Sequence, residues 1–156
     1  MTAGAGSGAS PSPRIRDASP DDCAAISDLL AQLGHPTPVS DLRARLSQLG
    51  QAAPGDRALV AEVNGRVCGF VTTHLTTVLH RAGPVGRITS LVVSDTARGR
   101  GVGRALAQAA ERILVDQGCV RIEVTSGRQR DGAHRFYERL GYEDQGIRFA
   151  KPVRPR

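Results

Sequence analysis

The chain has 156 residues, 40% of them apolar and 23% charged, with aromatics at only 3% and a formal charge of +6. That length suits one domain with a core of Leu, Val, Ile and Ala, and the charge fits an anionic partner: nucleic acid, a membrane surface or a phosphorylated small molecule. Scarce aromatics and the lack of an arginine-rich helix weigh against nucleic acid, and no segment reaches the roughly 20 apolar residues of a membrane span.

Residues 1–13, MTAGAGSGASPSP, have no charged start followed by an apolar run, and so read as a flexible tail and not a signal peptide. Arg14–Asp17 then forms a short strand. Ser19 caps a helix with Pro20 at its first position and Asp22 three residues after the cap, running to about Leu33 before Gly34. A second helix carrying Leu42, Leu46 and Leu49 follows Pro36–Pro38, with a loop near Gln51–Asp56. ALVAEV and RVCGFVTTHLTTVL flank Asn64-Gly65, the signature of a two-residue hairpin turn between antiparallel strands.

After Gly83-Pro84 a strand is predicted over Val85–Val93, then the loop Arg98–Arg104, then a helix whose apolar stripe is Val102, Leu106, Ala109 and Ile113, ending at Gly118. CVRIEVT (119–125) alternates as a strand, AHRFYERL (133–140) as a short helix, and Ile147–Val153 as a last strand before the basic tail 154–156. Strand, helix, strand around the loop implies a parallel crossover. The fold class is therefore α/β (α+β): a mixed, mainly antiparallel sheet with helices on both faces.

The loop RGRGVGR puts three arginines and three glycines in seven residues at the start of a helix. A first helical turn leaves backbone N–H groups without partners and carries partial positive charge, so it attracts anions. Gly99, Gly101 and Gly103 let a phosphate approach the main chain while Arg98, Arg100 and Arg104 add charge. The spacing is neither GxxxxGK[ST] nor GxGxxG.

Arg98-Gly99-Arg100-Gly101-Val102-Gly103 resembles the [RQ]-x-x-G-x-[GA] signature of the GNAT superfamily, the acyl-coenzyme A dependent N-acyltransferases, and Ala133–Tyr142 resembles its late A-x-x-x-Y-x-x-x-G-[FY] helix. With the order of elements, the resemblance covers roughly residues 14–153, as a single acyltransferase domain. It implies two parallel strands that splay apart around the pantetheine arm of acetyl-CoA. Leu91, Val92 and Val93 would offer it main-chain partners, and Arg98, Gly99, Arg100, Gly101, Val102, Gly103 and Arg104 would hold the pyrophosphate. Tyr137 matches the tyrosine that protonates the leaving thiolate, with packing beside Phe136 as its plainer role.

Two positions depart from the family pattern. The strand before the loop reads Ile88-Thr89-Ser90-Leu91, with hydroxyls where relatives often carry a glutamate; the base is then water, an already neutral amine, or Glu123. In place of an asparagine before the late helix stands Gly127-Arg128-Gln129-Arg130-Asp131, where Arg130 would contact the coenzyme and Arg128 or Arg135 its adenosine phosphate.

The resemblance implies transfer of an acetyl group to a primary amine, on a small molecule or a protein lysine or N-terminus, by direct attack in a ternary complex. It also implies coenzyme A as product and a homodimer. The alternative is a non-catalytic acyl-CoA sensor. Neither nucleic acid nor a membrane is an expected partner. His35, His74, His80 and His134 show no metal spacing and read as structural or solvent-facing, so no metal is expected. Cys23, Cys68 and Cys119 are odd in number and without CxxC spacing, which suits buried packing in a reducing cytoplasm.

Overall fold

The computed structural model describes residues 11–154. It contains two compact units, one ending at Thr125 and the other starting at Ser126. In the first, β1 (Arg14–Asp17), β2 (Ala58–Val63), β3 (Arg66–Thr76), β4 (Val85–Val93) and β5 (Arg121–Val124) lie side by side in chain order. The first four are antiparallel to their neighbours and β5 is parallel to β4. This is the mixed sheet expected from the sequence. α1 (Cys23–Gln32) and α2 (Val39–Ala52) precede β2, and α3 (Val102–Asp116) forms the crossover between β4 and β5.

Local chemistry explains the first elements. A 3-10 turn, Pro20–Asp22, leads into α1, and the Asp22 carboxylate accepts hydrogen bonds from the Ser19 backbone N–H at 2.7 Å and hydroxyl at 3.1 Å. The same carboxylate accepts two bonds from the Arg16 guanidinium, at 2.8 and 2.9 Å, while Arg16 Nε reaches Glu62 at 3.1 Å. Asp22 is 6% exposed, so its charge survives burial only because these partners replace water. The Arg16 guanidinium holds the Asp22 carboxyl below the usual carboxylate range.

Side chains alternate across a strand, so the sheet has two distinct faces. On one, Ile26 and Leu29 of α1 pack against Val60, Phe70 and Val92. On the other lies α3, with Val102, Leu106, Ala110 and Leu114 buried at successive i+4 steps. The predicted stripe named Ile113, but Leu114 is the fully buried residue, and Gly86 of β4 leaves room for its side chain: a Cβ there would sit 2.9 Å from both Leu114 methyl carbons.

Two strands each carry an extra residue. Opposite β2, Cys68 is skipped between the pairs Ala61↔Gly69 and Glu62↔Val67; opposite β3, Thr89 is skipped between Thr72↔Ser90 and Thr73↔Ile88. Such bulges bend and twist a strand locally.

Several predicted boundaries need correction. β3 stops at Thr76 and does not reach Leu79, because its last partner is the first residue of β4, Val85. β5 is Arg121–Val124, shorter than 119–125, because it pairs only with Val85–Ile88, before the β4 bulge. α2 runs through Ala52, into the predicted loop.

The second unit contains α4 (Asp131–Arg139), which begins two residues earlier than predicted. Residues 147–153 form no strand: Ile147, Phe149 and Val153 alternate in the sequence but are 68%, 90% and 87% exposed, with no ladder partner. Of the two predicted tails, residues 1–10 and 155–156 lie outside the described residues.

Candidate functional site

The glycine loop follows β4 through a short 3-10 turn, Asp95–Ala97. Gly99 and Gly101 have φ of +75° and +77°, values that L residues with a Cβ rarely adopt, and Gly101 is the residue that caps α3. A Cβ built on either would meet nothing within 4 Å, so the space over the loop is open. The first backbone bond of α3 runs from Ala105 N–H to the Gly101 carbonyl at 3.0 Å. The amides of Val102, Gly103 and Arg104 therefore have no acceptor within the helix. Arg100 and Arg104 are exposed beside them, and Arg98 is exposed and held by Asp95 at 2.9 Å. Val102 is 2% exposed and anchors the turn in the core. Open backbone donors, a helix N-terminus and three guanidiniums form a cradle suited to a phosphate.

Along β4 the pairing differs between its two edges. Toward β3 it continues to Val93, while toward β5 it ends at Ile88↔Val124. From Thr89 to Val93 no strand among the described residues pairs with the β5-side edge. This is the edge that the sequence assigned to Leu91, Val92 and Val93. Val92 buries its side chain against α1 while Leu91 and Val93 are half-buried, so the side chains serve the core and the backbone edge on the β5 side has no strand partner among the described residues.

Tyr137, Arg128, Arg130 and Arg135 lie in the second unit. Tyr137 is half-buried on α4 between Phe136 and Tyr142, with ring centroids 5.1 and 5.6 Å away in edge-on geometry. Burial pushes its phenol above the ordinary value, and the charge of Arg130 acts in the opposite direction. A phenol so placed keeps its proton at neutral pH. Arg128 and Arg135 are exposed.

Glu123 has both carboxylate oxygens engaged, Oε1 by Arg121 at 2.9 Å and Oε2 by Arg87 at 3.4 Å. Burial pushes the Cys68 thiol up, with Arg100 acting the other way, and its Sγ lies 3.5 Å from the Ala61 carbonyl. It is a packed thiol and not an activated one.

The sequence reading missed a fourth group. His74 Nδ1 lies 2.8 Å from Asp56 Oδ1, which also accepts the Leu75 backbone N–H at 3.0 Å. Nothing in the spacing of these residues signals a pair, since the hairpin register that joins them depends on the bulge at Cys68. Among the described residues no group of three or more His, Cys, Asp or Glu is arranged to hold a metal, and no helix is long and apolar enough to cross a membrane.

The chain is 37% identical over 90 residues to the aminoalkylphosphonate N-acetyltransferase of Salmonella typhimurium, a match spanning 58% of each chain. It thus spans less than two thirds of that relative's length. Among solved structures, a transcriptional regulator from Bacillus halodurans superposes with a TM-score of 0.77 at 26% identity, covering 89% of this chain and 99% of the other. The glucosamine-6-phosphate N-acetyltransferase of Arabidopsis thaliana gives 0.79 at 19% identity, covering 92% and 100%, a likeness of fold. Residues 24–142 match the sequence profile of the Acetyltransferase (GNAT) family, and the chain belongs to that family.

Proposed function

We propose that the protein is an acyl-CoA-dependent N-acetyltransferase that passes the acetyl group of acetyl-CoA directly to a primary amine in a ternary complex. The observation that carries this is the pairing of two features in one unit: the open, positive-φ turn at Gly99–Gly101 over the free amides of α3, and the unpaired edge of β4 leading into it. The amides of Val102–Arg104, with Arg98 and Arg100, would hold the pyrophosphate. The edge of Leu91–Val93 would hold the pantetheine as another strand would.

Acetyl-CoA supplies a thioester, and the chain's task is to fix it, to receive the protons shed by the amine and to return one to sulfur. Tyr137 is the proposed acid, and its raised pKa keeps it a donor. Arg130 is assigned to the coenzyme as well. The Salmonella relative's acceptor makes aminoalkylphosphonates the first amines to try. Residues 14–153 act as one acyltransferase domain in this reading, and three free cysteines suit a reducing cytoplasm.

The test is calorimetry with coenzyme A alongside thiol release from acetyl-CoA over a panel of amines. Gly101→Val should weaken coenzyme binding at least tenfold, about 1.4 kcal/mol. Tyr137→Phe should leave binding in place and lower turnover by about 100-fold. Unchanged affinity in Gly101→Val overturns the phosphate assignment. The likeness to a transcriptional regulator favours a second reading, an acyl-CoA sensor; binding without turnover of any amine would select it.

A further inference from the structure

The face of β3 that carries Phe70 also carries Thr72 and His74, since alternate residues share a face. Phe70 belongs to the α1 core, but His74 is 48% exposed. At the level of His74 four titratable side chains form a row across the sheet. Asp56 lies just ahead of β2, His74 on β3 pairs in register with Arg87 on β4, and Arg87 pairs with Glu123 on β5. Arg87 and Arg121 each bind one oxygen of Glu123, at 3.4 and 2.9 Å. Next toward the unpaired edge of β4 come the hydroxyls of Thr72, Thr89 and Ser90, with Thr72 Oγ1 2.7 Å from Thr89 Oγ1.

From this geometry we infer that His74 is the general base of the reaction, oriented by Asp56. In this assignment the buried Asp56 carboxylate, 11% exposed in its side chain, accepts a hydrogen bond from Nδ1–H. This leaves the lone pair of Nε2 free to accept a proton, on a ring that is 48% exposed. Asp56 is itself fixed by the Leu75 N–H, so the ring is held from a rigid backbone. The charged groups that face His74 are Asp56 on one side and Arg87 on the other, with Glu123 and Arg121 a strand further on.

An acceptor arriving as an ammonium must shed two protons to become an amide. His74 Nε2 takes the first through a water on the Thr72, Thr89 and Ser90 hydroxyls and passes it to solvent. The freed nitrogen lone pair then forms the C–N bond to the acyl carbon. The C–S bond breaks with its electron pair on sulfur, and the second proton ends on sulfur by way of Tyr137.

This rests on the proposed transferase activity, and the test separates the two. With the amine that releases most thiol, wild-type kcat/KM should rise with pH along an acidic limb. His74→Gln should abolish that limb and lower kcat by about 100-fold with the acceptor KM little changed. The deficit should close as pH rises and the amine becomes neutral unaided. Turnover that keeps the limb in His74→Gln overturns the inference alone; silence of the wild type with every amine overturns the transferase and the base together. Nitrogen-15 NMR of the imidazole gives a readout independent of turnover. The wild-type ring should be the Nδ1–H tautomer at neutral pH, and Asp56→Asn should lose it. An Nε2–H tautomer in the wild type overturns the inference whatever the kinetics show.

Discussion

Along β3, Gly69, Val71 and Thr73 face one way and all are buried, whereas Phe70, Thr72 and His74 face the other way and pass from buried to exposed. The first face carries α3 along its length, with Val102, Leu106, Ala107, Ala110 and Leu114 excluded from water. The second is apolar only where Ile26 and Leu29 of α1 reach Val60, Phe70 and Val92. Beyond that point it carries Thr72, His74, Arg87, Thr89 and Glu123. A sheet sealed on one side does not need the other half-face for its stability, and that half-face is where polar and titratable groups are carried without a folding cost.

The largest expected effect lies on the sealed face. Leu106→Ala should cost about 3 kcal/mol in urea unfolding, since Leu106 is 0% exposed and its neighbours on α3 and β3 have little room to close the void. A cost under 1 kcal/mol would break the contrast. Next comes Asp22, where the second face is closed by charge and not by apolar packing. Asp22→Asn should cost about 2 kcal/mol by weakening two guanidinium bonds and the Ser19 contacts. Because the folded pKa of Asp22 lies below the unfolded one, its contribution is full above the unfolded carboxylate range and vanishes as pH falls through the folded value. The wild-type and Asp22→Asn stabilities should therefore converge on acidification, in parallel denaturation series.

The smallest effect gives the sharpest comparison, between two adjacent threonines. Thr73 is 1% exposed; its hydroxyl donates to the Gly55 carbonyl at 2.7 Å and accepts the Arg57 N–H at 3.2 Å. Thr73→Val should cost about 1–2 kcal/mol, because both main-chain groups lose this buried partner. Thr72→Val, on the polar half-face, should change stability by no more than about 0.5 kcal/mol. Equal losses at the two sites would show that both faces bear load alike.

Much of this architecture is legible in the residues themselves. The Asn64-Gly65 turn, the Ser19-Pro20 helix start and the strand, glycine loop and helix from Val85 onward are local signals, and local signals survive folding. The family motifs, as a resemblance, point to the fold class and the glycine loop. Bulges are not legible, because a skipped residue exists only relative to a partner strand. A straight count outward from Asn64-Gly65 sets Asp56 opposite Thr73; the extra residue Cys68 shifts the register by one and brings it beside His74. The same dependence on a partner explains Ile147–Val153, whose alternation is that of a strand while no edge receives it.

The extra residue at Thr89 has a further consequence for the chain's tolerance to change. It lets Gly86 lie against α3 and Val92 against α1, so that β4 crosses from one layer of the fold to the other midway along its length. Replacing the Thr89 side chain removes the hydroxyl bonded to Thr72 but leaves the facing of the strand intact. Deleting the residue would turn half the strand inside out, driving Arg87 toward α3 and Ile88 into water. For the fold, the chain's length at this position matters more than its chemistry.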